Sequence, residues 1–564
     1  MVKKYLALTL ALLFVIGLLA GCSETSNEDS PEPTPVQSSI PTDTDESTTE
    51  PVEERALAVA EGGEFKLPLA DSKTFSIWVA FSSNNMMSLN DSYAYKEFER
   101  RTGIQIDWQH VSSASAVESF NLAMASQDYA DSYQASITYL TNGADYYVEN
   151  GIIVDLEPYI PQYAPNYDYV RNLTEGTKVA TLTDSGMCVA FYKIMQKLQW
   201  AYFGPLGRHD WLEDLGMDIP ETYDELHDVL VAFRDNYNPE MPLSILPHGI
   251  DDWLLAGFDT MYSTSVTGNV FIQKNGVAKF GATEPGFKEY IQMMANWYDE
   301  GLIDRDFYTR AGYPGLNPEH VLNNKMGLAI SLYTYPDYFE SLAAAGGDEN
   351  LKWRGFKCPV KEHGDTRKVT MGGGQLYYRG NLCAFVTTSC DDIGLMMRWY
   401  DYFYTDEGAL LCSYGIENES FVYDDTGKPQ FTEVVYKNPD GLSLNDAIAL
   451  YACPPSQASW YNWERELVPT TSENVWNTKE LFEGNWEDEY TMPQITLTAD
   501  ESMEYAQIMT DINTYLSENI VKFITGQKSM DEYDSMIDGL KSMGIDRATE
   551  IQQAALDRYY ARMD

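Results

Sequence analysis

The chain has 564 residues, with 38 Lys and Arg against 86 Asp and Glu, which gives a formal net charge of −48. A surface this acidic is repelled by nucleic acid and by anionic membranes, so both are excluded as electrostatic partners. The length exceeds what a single hydrophobic core usually supports, which predicts at least two lobes.

The N-terminus has the order of features of a secretory signal. Two lysines precede an apolar run over residues 5–20, which is too short for a comfortable membrane span. The run ends in the motif L-A-G-C at Cys22, which resembles a bacterial lipobox. The resemblance implies a signal peptide over residues 1–21 and lipidation of Cys22 as the mature N-terminus. Removal of the two lysines makes the charge of the mature chain 36 − 86 = −50.

Residues 22–65 are predicted to be a disordered acidic tether. Residues 23–55 contain ten acidic residues, five prolines, one base and no aromatic residue. Such a composition cannot bury enough apolar surface to offset its ordering entropy. As a flexible coil of about forty residues, the tether would hold the domain roughly 35 Å from the lipid. We therefore expect a protein at the extracellular face of the cell membrane, held there by its lipid anchor only.

The folded part is predicted to open with a βαβ unit. Residues 74–79 alternate apolar and polar as a strand does, residues 91–101 have helical spacing, and residues 104–108 alternate again. Two strands joined by a helical crossover indicate a parallel sheet and an α/β fold. Residues 133–140 are predicted as a third strand.

Helices are predicted to dominate the second half. Thr222 and Glu225 have the spacing of a capping box, followed by apolar residues on one helical face up to Phe233. Three further helices are predicted over residues 286–300, 501–523 and 530–543.

Cysteine and histidine specify no site. An even number of cysteines in an exported chain permits disulfides, but no C-x-x-C occurs and buried free thiols fit equally well. Besides Cys22 the cysteines are Cys188, Cys358, Cys383, Cys390, Cys412 and Cys453. No zinc or other metal signature, nucleophile elbow or phosphate-binding loop is present. We therefore predict no enzyme activity, no catalytic residue and no cofactor.

Four blocks of sequence resemble a known family. They lie at residues 206–226 (beginning LGRHDWLEDLG), 297–304 (WYDEGLID), 404–417 (beginning YTDEG) and 522–559. In this order they resemble the family 1 extracellular solute-binding proteins, the lipoprotein components of ABC importers related to maltose-binding proteins. The resemblance implies a two-lobed periplasmic-binding-protein fold of type II, with a helix-rich second lobe and a ligand cleft at the hinge.

The resemblance also implies how the chain is divided between the lobes. By analogy with maltose-binding relatives, the N-terminal lobe comprises residues 66–192 plus 326–383, and the C-terminal lobe residues 193–325 plus 384–564. The chain would cross near residues 190–193, and residues 326–330 would be the returning strand.

The function implied by the resemblance is capture of a nutrient for an ABC importer. The expected ligand is an oligosaccharide, the expected partners are permease subunits, and the binding protein is expected to be a monomer. Two alternatives stay open: a peptide-binding transport lipoprotein, and a surface-anchored carbohydrate-active hydrolase working through two carboxylates.

Candidate ligand-binding residues are aromatic residues placed just past predicted strand ends, where open α/β lobes hold ligands. Each could instead be a core or rim aromatic. Tyr333 and Tyr335 follow the returning strand, and Pro336 makes a helix through them unfavourable. The full set is Tyr139, Trp200, Trp253, Tyr333, Tyr335, Tyr378, Trp460 and Trp463.

One segment departs from the family pattern. Many members carry a loop resembling a calcium site after the helix that begins near residue 222. Here residues 235–243 lack the alternating oxygen ligands and the glycine of such a loop. The sequence therefore predicts no bound calcium in this segment.

Overall fold

A computed structural model describes residues 66–81, 86, 88–197, 201–263, 270–310, 312–369, 378–442, 444–454, 456–466, 472–484, 487 and 489–563. The predicted signal peptide, the lipidated Cys22 and the tether lie outside these residues, as does Trp200. The strands are β1 (Lys73–Ala80), β2 (Ile104–Val111), β3 (Ser132–Ala135), β4 (Phe191–Met195), β5 (Phe203–Arg208), β6 (Met241–Ser244), β7 (Phe271–Lys274), β8 (Val277–Phe280), β9 (Met326–Leu332), β10 (Trp353–Gly355), β11 (Tyr378–Val386), β12 (Phe421–Tyr423), β13 (Pro429–Phe431) and β14 (Trp460–Tyr461).

The helices are α1 (Tyr93–Thr102), α2 (Ala116–Ser126), α3 (Ala144–Glu149), α4 (Ile160–Tyr163), α5 (Pro165–Arg171), α6 (Glu175–Ala180), α7 (His209–Leu215), α8 (Tyr223–Tyr237), α9 (Asp252–Leu255), α10 (Pro285–Asp299), α11 (Pro318–Leu322), α12 (Tyr335–Ala345), α13 (Ile393–Tyr402), α14 (Asp406–Tyr414), α15 (Glu433–Tyr436), α16 (Leu444–Tyr451), α17 (Glu473–Glu483), α18 (Ala499–Ile524), α19 (Tyr533–Ser542) and α20 (Ile545–Ala561). None of these helices is long and apolar enough to cross a membrane.

The first lobe is built on a six-stranded sheet in the order β14-β4-β11-β3-β1-β2. β1 pairs in parallel with β2 and β3, and β11 runs antiparallel to both β3 and β4. The β1–α1–β2 unit confirms the predicted parallel βαβ start. Gly103 ends α1 with φ +73°, and a Cβ there would lie 1.8 Å from the carbonyl oxygen of Ala70, so the turn requires glycine.

The second lobe is built on a four-stranded sheet in the order β10-β5-β9-β6. Its core packs α8, α10, α18 and α20 with this sheet. α8 begins with the predicted capping box: Thr222 accepts from the N–H of Glu225, and the Glu225 carboxylate accepts from the N–H of Thr222. The predicted helical character of this lobe is thus confirmed, including the helices expected near residues 286–300, 501–523 and 530–543.

The predicted lobe boundaries are wrong in two places. β9 was expected to return to the N-terminal lobe, but it pairs with β5 and β6 in the second sheet. The chain returns to the first lobe only at β11, and residues 384–461 contribute to the first sheet and its core rather than to the second lobe. A strand that is buried on both faces along nearly its whole length, such as β9, has no alternating pattern that identifies its neighbours, so the sequence did not distinguish the two sheets.

In addition to the chain segments that connect them, the two lobes are joined by a buried ion cluster. Asp184 lies between α6 and β4 of the first lobe, and its side chain is 3% exposed. It pairs with Arg558 of α20 and with Arg562, the residue directly after α20, in the second lobe, the latter at 2.6 Å. Thr496 donates a hydrogen bond to the same carboxylate at 2.9 Å. Arg558 is also paired with Glu501 of α18, so the network continues into the second lobe.

Candidate ligand-binding cleft

The carboxyl ends of the first-lobe strands lie at one edge of their sheet. β4 and β3 are both antiparallel to β11 and therefore run in the same direction as β1 and β2. β14 is parallel to β4. The residues that follow β3, β4 and β14, together with the beginning of β11, therefore share this edge.

The second sheet presents an equivalent edge. β6 and β9 are parallel, and both β9 and β10 are antiparallel to β5. The carboxyl ends of β6, β9 and β10 therefore lie beside the amino end of β5.

These two edges are adjacent because the chain passes between them. Residues 196–202 link the carboxyl end of β4 to the amino end of β5, and Tyr202 packs against Met195 and Tyr461 of the first sheet. The chain returns to this edge at the start of β11, and it leaves again after β14 to reach α17. Three crossings at one edge form a hinge, and the space between the facing strand ends is the candidate cleft.

Two predicted aromatic residues lie on the first-lobe side of the cleft and are partly buried. Tyr139 follows β3, and its ring packs 5.5 Å from that of Phe120. Trp460 lies in β14, where its carbonyl accepts from the Gln196 side chain at 3.1 Å. The indole N–H of Trp460 is buried and has no hydrogen-bond partner among the described residues. For Tyr378 and Trp463 only the backbone is described, and it lies at the same edge.

The predicted residues of the second lobe are more deeply placed. Tyr333 and Trp253 are each 1% exposed and pack in hydrophobic clusters, so a ligand could contact their rings only if they became exposed. Tyr335 is half-buried, with its ring 5.2 Å from that of Phe339. It begins α12, with Pro336 in the first helical turn, so the expectation that Pro336 opposes a helix here is wrong. Proline fits the first turn because the N–H that it lacks has no partner there in any helix.

Two buried cationic side chains contact Tyr461 of β14 and hold this strand in place. The Lys193 ammonium lies 3.6 Å from the centre of the Tyr461 ring, and the Arg465 guanidinium lies 4.7 Å from the same ring. All three side chains are buried. Cation–π contacts gain strength when the charge is removed from water, so this arrangement fixes the strand that carries Trp460.

The sequence analysis missed a polar segment at the carboxyl end of β6. The Ser244 hydroxyl and one carboxylate oxygen of Asp251 are buried without hydrogen-bond partners among the described residues. Burial raises the pKa of Asp251 to about 8 and lowers the pKa of the half-buried His248 to about 4. The available signal was the segment from Met241 to Leu246, which is apolar except for Ser244 and ends at Pro247, as is typical of a short buried strand.

A group of side chains that could hold a metal ion occurs once in the part of the chain that the structure describes. The single group of potential ligands there, Asp131, Cys390 and Asp391, includes two carboxylates already engaged by other side chains, Ser76 and Lys73. The segment after α8 turns at Asn238 with φ +47°, and Asp235 is paired with Arg234 at 2.7 Å. The absence of calcium from that segment stays a prediction.

The sequence profile described as bacterial extracellular solute-binding protein matches residues 88–318. Over 534 residues the chain is 22% identical to FusA, the fructooligosaccharide ABC transporter substrate-binding protein of Streptococcus pneumoniae, with 88% of this chain and 92% of the relative covered. The chain is thus similar to bacterial extracellular solute-binding proteins, over residues 88–318 by the profile and over most of its length by FusA.

Two further relatives extend this comparison. Lipoprotein LipO of Bacillus subtilis is 24% identical to this chain over 265 residues, which cover 46% of the chain and 50% of LipO. The structure of an HMO-binding, ABC-transporter-associated solute-binding protein of Bifidobacterium longum infantis superposes with a TM-score of 0.69 at 16% identity, over 86% of this chain and 99% of that one. The predicted two-lobed fold class is thereby confirmed.

Proposed function

We propose that this solute-binding protein captures an oligosaccharide at the outer face of the cell membrane and delivers it to an ABC importer. The observation that carries the proposal is the cleft, where strand ends of two lobes face each other across a hinge. Tyr139, Tyr335 and Trp460 line these edges and are only partly buried. Aromatic rings with a polar group suit sugars, because their faces pack on C–H groups while the polar group takes a hydroxyl.

Unused hydrogen-bonding capacity at the same edges supports a hydroxyl-rich ligand. Buried polar groups are nearly always hydrogen-bonded, yet the indole N–H of Trp460 and the hydroxyl of Ser244 have no partner among the residues that the structure describes, which calls for an explanation. Closure of the lobes around a sugar would supply such partners. The names of two relatives, FusA as a fructooligosaccharide transport protein and the HMO-binding protein, support the same ligand class.

Lipid anchoring is the second part of the proposal. Cys22 ends a sequence with the order of a lipoprotein signal, and an acidic, proline-containing segment follows it. The relative LipO is a lipoprotein by name. An anchored binding protein stays close to its importer, which raises the effective concentration of loaded protein at the permease.

The proposed protein binds its ligand without cleaving it, which distinguishes it from a surface hydrolase. We infer that the chain has no catalytic pair, because FusA, the relative that covers 88% of this chain, is a substrate-binding protein by name. The peptide-binding alternative differs in ligand alone and needs no change in architecture.

A thermal-shift screen followed by product analysis tests the function. The purified protein is mixed separately with neutral oligosaccharides, with uronate oligomers and with short peptides. A ligand at 100 times its Kd adds about 2.7 kcal/mol, which raises Tm by about 2–3 °C for roughly 500 ordered residues. We expect one oligosaccharide class to stabilise the protein and to be recovered intact by chromatography. Stabilisation by peptides alone would contradict the sugar proposal, and cleavage products would identify a hydrolase.

A further inference from the structure

Two of the buried cysteines in the first lobe are direct neighbours. Cys412 lies in α14, and Cys453 follows α16, so 40 residues separate them in the sequence. The backbone N–H of Cys453 donates to the carbonyl oxygen of Cys412 at 2.9 Å. With standard backbone dimensions, this bond limits the distance between their Cα atoms to about 7 Å, which includes the window of roughly 4.4–6.8 Å over which disulfides form.

A single arginine holds the two residues together. One nitrogen of the buried Arg465 donates to the carbonyl oxygen of Cys412 at 3.2 Å and to that of Cys453 at 2.8 Å. The thiols also interact with each other. The proximity therefore depends on a fixed backbone arrangement and not on the side-chain rotamers alone.

We propose that Cys412 and Cys453 form a disulfide in the exported protein. This inference uses the export that the proposed function assumes, since disulfides persist in oxidising compartments. In the two-step exchange, the Cys412 thiolate attacks an external disulfide, of a small molecule or an oxidoreductase, and releases one thiol. The Cys453 thiolate then attacks the Cys412 sulfur of the mixed disulfide and releases the second thiol. Two electrons and two protons pass from the cysteines to the external disulfide.

The folded surroundings of Cys412 stabilise its thiolate. Burial raises the pKa of its thiol, but the hydrogen bond with Cys453 and the positive charges of Arg465 and Lys193 outweigh burial and lower the pKa overall. Both thiols are 0–1% exposed in the folded lobe. Exchange therefore takes place before this region closes, and the finished bond is protected from external reductants.

The disulfide would tie a small separate core to the first lobe. Residues 413–452 include the β12–β13 hairpin, α15 and α16, whose apolar side chains form their own cluster. β14, which carries Trp460, begins seven residues after Cys453. The link would thus fix both the appended core and a strand of the candidate cleft.

Non-reducing peptide mapping of the exported, full-length protein tests the proposal. Trypsin releases residues 399–437 and 438–465, each with one cysteine, and we expect these peptides as one linked species that separates on reduction. Unfolded without reductant, the lipidated protein should titrate four thiols where the six cysteines besides Cys22 would otherwise give six. Six titrating thiols, or a link between other cysteines such as Cys188 and Cys383, would overturn the proposal.

A second experiment tests whether the folded geometry alone is sufficient for the disulfide, independently of whether the protein is exported. The chain without its first 21 residues is unfolded, reduced and refolded in a buffer of reduced and oxidised glutathione, and mapped in the same way. Formation of the 412–453 link there supports the inference even if export fails, and its absence from refolded protein contradicts it. Cys453→Ser should abolish the link and the effect of reductant on Tm. Cys358→Ser, in the second lobe, should leave both unchanged.

Discussion

The ion cluster at Asp184 gives the sharpest test of how the lobes are held together. Its carboxylate is 3% exposed and receives Arg558 and Arg562 from the other lobe, with a hydrogen bond from Thr496. Replacement by Ala leaves two arginines without this partner at a buried contact. Removing one member of a buried ion pair typically destabilises a protein by about 3–5 kcal/mol.

The expected shift in melting temperature follows from the size of the domain. Unfolding entropy near 60 °C is about 2.1 cal/mol/K per residue, or about 1 kcal/mol/K for roughly 500 residues. Asp184→Ala should therefore lower Tm by about 3–5 °C, measured by differential scanning calorimetry. Arg547→Ala is the matched control, because Arg547 of α20 pairs with Glu504 of α18 at an exposed position, 49% and 44% exposed. Exposed pairs contribute under about 1 kcal/mol, so the control should shift Tm by less than about 1 °C.

Equal, small shifts in the two variants would refute this reasoning. They would mean that the Asp184 cluster adds no net stability and that the lobes are held together elsewhere. Small-angle scattering of Asp184→Ala should also show a larger radius of gyration, because the lobes lose a contact that joins them.

Four further predictions address the anchor, the metal content, the pH dependence and the cleft. Cys22→Ala should abolish lipid labelling in cells, and persistent labelling would exclude the lipobox interpretation. Elemental analysis should find no calcium at the Asp235 segment, and a chelator should leave Tm unchanged; one bound equivalent would contradict this. Burial raises the pKa of Asp251 to about 8 in the folded state, so the folded protein binds more protons than the unfolded chain between about pH 4 and 8, and its stability should fall as pH rises through that range. Asp251→Asn should flatten the profile of Tm against pH, and an unchanged slope would contradict this assignment. Tyr335→Ala should weaken oligosaccharide binding by about 1–3 kcal/mol, or about 5- to 150-fold by calorimetry; the exposed neighbour Tyr338→Ala should have little effect, and equal affinities of the two variants would remove Tyr335 from the site.

The sequence was sufficient to predict the secondary-structure elements that are specified by local patterns. The βαβ start, the capping box at Thr222 and the C-terminal helices all have periodicities or caps that their own residues specify. The assignment of β9 failed because pairing is non-local: its seven residues, nearly all buried, fit either sheet equally well. The predicted lobe boundaries depended on that assignment, so the placement of β9 and of residues 384–461 failed with it.

The sequence predicted where candidate site residues lie relative to the strand ends, but not which of their rings are buried. The sequence rule placed candidate aromatic residues beyond strand ends, and in the structure Tyr139, Tyr335 and Trp460 lie at those edges of the two sheets; their role in binding stays a prediction. The same rule could not separate a ring at a cleft surface from one folded back into the core, as with Trp253 and Tyr333. That difference depends on side-chain packing across α9 and β9, which no local pattern encodes.

Isothermal titration calorimetry with the most stabilising oligosaccharide tests the central claim most directly. The account predicts saturable binding of about one oligosaccharide per chain, with a negative heat-capacity change from burial of apolar surface in the cleft. The same oligosaccharide should be recovered unmodified from the calorimeter cell after the titration. No binding heat with any oligosaccharide class, together with saturable binding of a peptide, would contradict the account.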